Sequence, residues 1–208
     1  MRIIECVQGS PEWHAARIGI PTASRFHEII TPKTRKPSGS QGRYVAHLVA
    51  EWALGASLTA AASPYMERGK EFEAEAVAWY EMDRNVAVRR VGFCLRDDGA
   101  VGCSPDGLVG DDGGLEIKTL GAEMHSYYLL NPERMESEYA CQVQGNLYIT
   151  GRSWWDLLAY HPTMPRLIRR VKRDEAFIAD LERELDGFIR KLDRAKASVT
   201  ARAEGAAP

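Results

Sequence analysis

Apolar residues recur along this chain in two periods. Over residues 64–83, Phe72, Ala76, Trp79 and Tyr80 follow the helical period and predict one apolar face, with Glu73 beside it. Over 174–197, Phe177, Leu181, Leu185, Phe188, Ile189 and Leu192 form a longer amphipathic stripe. Between these stretches the period shortens. Residues 86–96 (VAVRRVGFCLR) and 100–104 (AVGCS) predict strands joined by a turn at Asp97-Asp98-Gly99. Gly107 and Asp111-Asp112-Gly113-Gly114 predict further turns, and 115–119 (LEIKT) a short alternating strand. A helix follows over 132–149, then strands over 154–160 and 167–171. At the N-terminal end, Ser10 caps a helix entered through Pro11 and running to about Arg17. Gly19-Ile20-Pro21 breaks it, and Thr22 or Ser24 starts a short helix ending near Ile30. Residues 31–42 are a Pro-, Gly- and Ser-rich loop, and 43–54 a helix stopped by Gly55. This order predicts an α/β fold with a central mixed sheet flanked by helices.

A length of 208 residues suits one domain. We expect a single unit over 1–197 and a disordered, unpatterned tail over 198–208. Lys plus Arg number 27 and Asp plus Glu 29, a net charge of −2. That balance excludes a protein that holds nucleic acid by bulk positive charge, though not one with a local basic groove. No stretch approaches the roughly 20 apolar residues of a membrane span. The opening residues, MRIIEC, lack the pattern of a secretory signal. Cys6, Cys94, Cys103 and Cys141 are scattered, which argues against a disulfide framework or a zinc finger and fits a reducing cytoplasm.

Asp106, Glu116 and Lys118 carry the candidate chemistry. Glu116 and Lys118 are two apart on a strand and share a face, while Leu115 and Ile117 point to the core. A hairpin joining 100–106 to 115–119 sets Asp106 beside Glu116. Carboxylates so placed repel, and a divalent cation between them relieves the repulsion. Oxygen ligands without Cys or His favour Mg²⁺ or Mn²⁺ over zinc. A lysine beside such an ion suits the orientation of an attacking water and the stabilisation of phosphate charge. The same residues also fit a solvated strand face bearing one Glu–Lys ion pair.

Further elements surround these three. Pro105-Asp106 with Glu116-Ile117-Lys118 reads as the signature of the PD-(D/E)XK nuclease superfamily. Gln144-Gly145-Asn146-Leu147-Tyr148 resembles the Gln-x-x-x-Tyr element of its exonuclease branch. Gly69-Lys70-Glu71-Phe72-Glu73 opens a helix with a carboxylate where that branch has another metal ligand. Trp13-His14, Arg17 and Gly19, followed by Thr22-Ala23-Ser24, resemble the opening of lambda exonuclease and the YqaJ-type viral recombinase nucleases. These elements keep the family's order over about residues 10–160.

The resemblance implies a restriction-endonuclease-like core and a Mg²⁺-dependent site, with Mn²⁺ able to substitute and one or two ions bound. It implies Asp106, Glu116, Glu73 and the Ile117 backbone carbonyl as ligands, and Lys118 as the water-orienting lysine. Gln144 would hold that lysine or the substrate strand. Arg17, Thr22 and Ser24 would form a pocket for a terminal 5′-phosphate: Arg supplies a forked, permanent charge, and Ser24 adds a hydroxyl near backbone N–H groups. Lys33, Arg35 and Lys36, with Arg43, would touch duplex phosphates or wedge the strands apart. The implied activity is 5′→3′ digestion of one strand of double-stranded DNA to 5′-mononucleotides, which leaves a 3′ tail. The implied partners are double-stranded DNA ends, further copies in a trimeric ring and a single-strand annealing protein. The implied location is the cytoplasm of a bacterial or phage-infected cell. Arg166, Arg169, Arg170, Lys172 and Arg173 form a second basic run, whose strand spacing keeps them from facing one partner together.

Two other functions fit the same residues. A structure-specific or restriction-type endonuclease shares Asp106, Glu116 and Lys118 but needs no end pocket, and it would cut covalently closed circles. A catalytically silent DNA-binding recombination protein would keep DNA affinity without cleavage.

Overall fold

The computed structural model describes residues 1–58 and 64–205. Strand β1 (Arg2–Ile4) leads to helix α1 (Pro11–Arg17), where the Ser10 side chain accepts the Trp13 N–H. Residues Ala23–Glu28 form a 3-10 helix, and α2 (Gln41–Leu54) ends at Gly55 in the left-handed conformation. After α3 (Pro64–Arg84) come β2 (Val88–Arg89), β3 (Phe93–Leu95), β4 (Gly102–Cys103), β5 (Gly107–Val109) and β6 (Gly113–Thr119). Helices α4 (Ala122–Leu130) and α5 (Pro132–Thr150) then cross to β7 (Trp154–Tyr160), β8 (Leu167–Lys172) and α6 (Glu175–Gly205).

The strands form two sheets, one ordered β1-β3-β4 and one ordered β2-β5-β6-β7-β8. In the larger sheet β6 and β7 run parallel, so their connection must cross a face, and α4 and α5 make that crossing. The other pairs are antiparallel. Alternation along β7 divides the interior. Trp155, Leu157 and Ala159 join the core with Phe26, Val143, Leu147, Leu181 and Phe188. Leu158 and Tyr160 pack with Leu115, Ile117, Ala76 and Tyr80 on the opposite face. The larger sheet is thus sandwiched, with α5 on one face and α3 on the other.

Several boundaries differ from the sequence expectation. Residues 86–96 do not make one strand: β2 and β3 belong to different sheets. The break falls at Gly92, where a Cβ would lie 2.4 Å from Cys6 Sγ and 2.5 Å from Cys6 O, so the chain must bend past the end of β1. Gly107, Gly113 and Gly114 lie in strands rather than turns. At Gly113 and Gly114 the rings of Trp154 and Trp155 occupy the space of a side chain: a Cβ would come within 2.0 and 2.4 Å of them. Strand β1 and helix α4 were not anticipated. Helix α6 continues to Gly205, so the tail expected from residue 198 is helical up to that point; residues 206–208 lie outside the described ones.

Helix α6 starts where the Asp174 carboxylate accepts the Phe177 N–H at 3.0 Å. Its stripe of Phe177, Leu181, Leu185, Phe188 and Leu192 is buried, as the periodicity predicts. Among the described residues, no helix is long and apolar enough to cross a membrane.

Candidate active site

The β5–β6 hairpin carries the central residues. Its register sets Gly107 opposite Leu115, so Asp106 arrives beside Glu116. The Ile117 N–H donates to Asp106 Oδ2 at 2.6 Å, which ties the carboxylate to the strand. Leu115 and Ile117 enter the core on the α3 side, so Glu116 and Lys118 face α5. Lys118 Nζ donates to Glu116 Oε1 at 2.8 Å. Sequence spacing thus places Asp106, Glu116 and Lys118 together as expected.

Two residues from α5 complete the cluster. Gln142 Nε2 donates to Glu116 Oε1 at 2.6 Å, and its Oε1 accepts from Lys118 Nζ at 3.0 Å. Asn146 Nδ2 donates to Glu116 Oε2 at 3.1 Å. Residues four apart share a helix face, so one turn of α5 addresses both oxygens of Glu116. Gln144 does not reach the lysine. Its Nε2 donates to the Lys172 carbonyl at 2.9 Å and its Oε1 accepts the Asp174 N–H at 3.0 Å, joining α5 to the β8–α6 corner. Gln142 therefore holds the place expected for Gln144. The signal was present as a polar pair, Gln142 and Asn146, on a helix face otherwise directed into the core.

This division predicts different phenotypes. Gln144→Ala removes two hydrogen bonds to partly buried backbone groups at the β8–α6 corner and should cost about 1 kcal/mol of stability. Gln142→Ala also loses two hydrogen bonds, so it should cost stability as well, but it should in addition lower kcat by about tenfold or more, a loss of at least about 1.4 kcal/mol at the transition state that Gln144→Ala does not share. Thermal melts beside cleavage rates check both; the reverse pattern would return the role to Gln144.

The electrostatics suit a cation. Burial, then the charges of Glu116 and Glu73, push the Asp106 carboxyl well above the usual carboxylate range. Burial pulls the Lys118 ammonium down, but Glu116 and Asp106 together outweigh it and leave the lysine raised and charged. The donors are hard oxygens, which fits a divalent cation of the Mg²⁺ class. Glu73 is near enough to act on Asp106, yet its carboxylate pairs with Arg90. Among the described residues no three His, Cys, Asp or Glu side chains are arranged to hold a metal ion. Glu73 is accordingly not drawn in with the other two.

A carboxyl with a raised folded-state pKa stabilises the fold at acid pH, and that contribution is lost as pH rises through the raised value. Asp106→Asn keeps an oxygen for the Ile117 N–H and removes the charge. Without divalent ions its melting temperature should exceed the parent's at neutral pH, by about 2–4 °C for each kcal/mol relieved. The gap should widen from pH 5 to pH 8. A variant melting below the parent at pH 8 would contradict the electrostatic account.

Arg17 and Thr22 meet in a cavity of about 40 Å³ lined also by His14, Arg25, Tyr44, His47 and the buried Glu51, which lies 3.3 Å from His47. The Arg17 guanidinium lies 3.7 Å over the Trp13 ring, and burial lowers its pKa. Its buried Nε has no hydrogen-bond partner among the described residues. Trp13 Nε1 donates to Ser104 Oγ at 2.9 Å, which fixes this corner to the segment leading into Asp106. Ser24 Oγ lies 3.3 Å from Thr22 Oγ1 but lines a second cavity of about 250 Å³ with His27, Tyr139 and Gln142. The structure thus strings Arg17, Thr22, Ser24 and Gln142 in that order toward Lys118. Arg25 and His47 have no counterpart among the residues expected from the sequence, and His14 enters as a neighbour of Arg17 in the N-terminal motif.

The basic residues divide. Lys33 and Lys36 are exposed, and neither forms an ion pair among the described residues. Arg35 is drawn inward: it pairs with Asp174 at 3.0 Å and stacks on Phe177. This partly exposed pair ties the loop to α6. In the second run, Arg169 pairs with Glu136, Arg170 with Asp156 and Arg173 with Glu175. Trp155 is buried, while Trp154 carries Arg170 on its ring face at 3.7 Å. Tyr148 Oη accepts from Arg96 at 2.6 Å and donates to Glu182 at 3.2 Å, away from the central cluster.

A family model described as the YqaJ-like viral recombinase domain matches residues 12–153. The structure is similar to LHK-Exo, an alkaline exonuclease from Laribacter hongkongensis, at 32% identity and a TM-score of 0.84, covering 95% of this chain and 100% of that one. LHK-Exo in complex with dAMP matches at 31% identity with the same TM-score and coverage. A phage-related exonuclease from Haemophilus somnus 129PT shares the fold at 13% identity and a TM-score of 0.70, covering 86% of this chain and 96% of that one. No curated protein matches the chain. These likenesses agree with the restriction-endonuclease-like architecture of the sandwiched mixed sheet. With two thirds of its length matched by one family model and its whole fold shared with an alkaline exonuclease, the chain belongs to the YqaJ-like viral recombinase family and is a nuclease.

Proposed function

We propose that this chain is a Mg²⁺-dependent exonuclease that enters double-stranded DNA at its ends. It digests one strand 5′→3′ to 5′-mononucleotides and leaves a 3′ single-stranded tail for annealing. The observation that carries this reading is the line of groups from Arg17 through Thr22 and Ser24 to Gln142 and Lys118. A cavity where Arg17 and Arg25 face the single carboxylate of Glu51 has positive charge to offer a terminal phosphate, and a hydrolytic cluster along the same line favours ends over interior sites. The dAMP held by LHK-Exo belongs to the class of product assigned here.

Asp106 and Glu116, with the Ile117 carbonyl, would hold the metal, and Glu73, now paired with Arg90, would be a further ligand. The ion would polarise a phosphoryl oxygen and acidify its water. Lys118, held by Glu116 and Gln142, orients the attacking water and opposes the charge that grows on the phosphate. Asn146 keeps Glu116 from rotating. Arg17 offers its unpartnered Nε to a terminal 5′-phosphate, with the Thr22 and Ser24 hydroxyls beside it. Lys33 and Lys36 meet duplex phosphates from the loop. Further copies of the chain in a ring would confine the duplex, and a single-strand annealing protein would take the tail, in the cytoplasm of a bacterial or phage-infected cell.

The test is a digestion of linear duplex DNA labelled separately at each end, beside a closed circular plasmid, with Mg²⁺ or EDTA. Expected is Mg²⁺-dependent loss of 5′-phosphorylated ends with the circle intact. Arg17→Ala should reduce the preference for 5′-phosphate over 5′-hydroxyl ends. Cutting of the circle would favour an endonuclease, and DNA binding without cleavage would favour a silent recombination protein.

A further inference from the structure

We infer that Tyr139 is a positioning residue: its ring face holds the Lys118 ammonium in the orientation that cleavage requires. The inference rests on the nuclease reading of the same site.

An ammonium on four single bonds has three donors and no preferred direction of its own. Here two donors are assigned, one to Glu116 Oε1 at 2.8 Å and one to Gln142 Oε1 at 3.0 Å. Two contacts still allow the group to swing about the line that joins them. The third side is closed by Tyr139, with Nζ 4.6 Å from the ring centroid. A cation at that distance is attracted to the negative face of the ring, and more strongly where water is scarce. The lysine side chain is 18% exposed, so water does little to screen the contact.

The ring is itself braced. Tyr128, buried on α4, meets Tyr139 edge-on at 6.3 Å and 64°. Its hydroxyl donates to Glu138 Oε2 at 2.5 Å, which locks α4 to the turn of α5 that bears Tyr139. Tyr139 and Gln142 lie three apart on α5, so one helix face delivers both the ring and the amide to the lysine. Tyr139 also lines the cavity of about 250 Å³ shared with Ser24 and His27. Tyr139 thus touches both the lysine and this cavity, and the bracing of its ring bears on the position of Nζ.

The face of the ring is what matters, so the hydroxyl should be dispensable. Tyr139→Phe should keep the rate within about twofold of the parent, while Tyr139→Leu should lower kcat about tenfold with little change in KM, the share expected of one partly desolvated cation–π contact. Tyr139→Met fills similar volume with a flexible chain and no ring, and it serves if the leucine variant fails to fold. Rates are measured on 5′-phosphorylated duplex ends with Mg²⁺, with melting temperature and DNA affinity measured in parallel. Loss in Leu and Met with retention in Phe supports the inference. Equal rates in all three, or equal loss in Phe and Leu, overturns it while leaving the nuclease reading intact. Absence of cleavage by the parent protein overturns the nuclease reading and this inference with it.

Discussion

Glu116→Gln should stop cleavage, with a fall in kcat of at least about a thousandfold, the scale of removing a central charged group from a metal-dependent site. Glu116 accepts from Lys118, Gln142 and Asn146 through its two oxygens, so three side chains are oriented on one carboxylate. An amide there presents a donor to groups that already donate, and the lysine loses its counter-charge in a buried place. Lys118→Ala should cost a similar factor. The two should not add, because each removes the same working unit. Binding to DNA ends should survive in both, since Arg17, Thr22 and Ser24 lie in other elements. Single-turnover digestion with an affinity measurement checks this. Either variant cleaving at near the parent rate would remove these residues from the chemistry.

Asp156→Ala should be the most destabilising single change outside the site, at about 3 kcal/mol or more, because it strands the partners of a buried charge. Asp156 is 1% exposed in the middle of β7. It accepts from Tyr80 Oη at 2.7 Å and from Arg170 Nε and Nη2, both at 2.8 Å. Tyr80 comes from α3 and Arg170 from β8, so the carboxylate ties a helix to two strands. Burial, then Asp156, raises the Tyr80 phenol, which therefore stays a donor across the working pH range. For a chain of this size the melting temperature should fall by roughly 6–12 °C. Arg170 remains half exposed and can be hydrated, which limits the loss. Replacing all three partners together, as Asp156→Leu with Tyr80→Phe and Arg170→Met, should recover much of it. Melting of the single and triple variants checks the account, and a triple variant no more stable than the single would contradict it.

Legibility in the sequence followed the range of the forces involved. The long helices announced themselves because their stripes of Phe, Leu and Ile repeat over several turns. Strand β1 has three residues and exists only through pairing with β3, far along the chain. Helix α4 escaped notice because Met124, Tyr127 and Leu130 are exposed while His125 and Tyr128 are buried, which leaves no clean stripe. Glycines at 107, 113 and 114 suggested turns, but in the fold they make room for Val88, Trp154 and Trp155.

The sequence by itself determined the meeting of Asp106, Glu116 and Lys118. A strand's period of two puts Glu116 and Lys118 on one face, and a short hairpin brings Asp106 alongside, so both steps are local. Only the tertiary structure decided which glutamine serves them. Gln142 and Gln144 are two apart and point about 200° from each other around α5, so the choice depends on how that helix is rotated against the sheet. The same holds for Arg35, claimed by Asp174, and for Glu73, claimed by Arg90. A charge finds its partner across the fold, and no local pattern records which partner it will be.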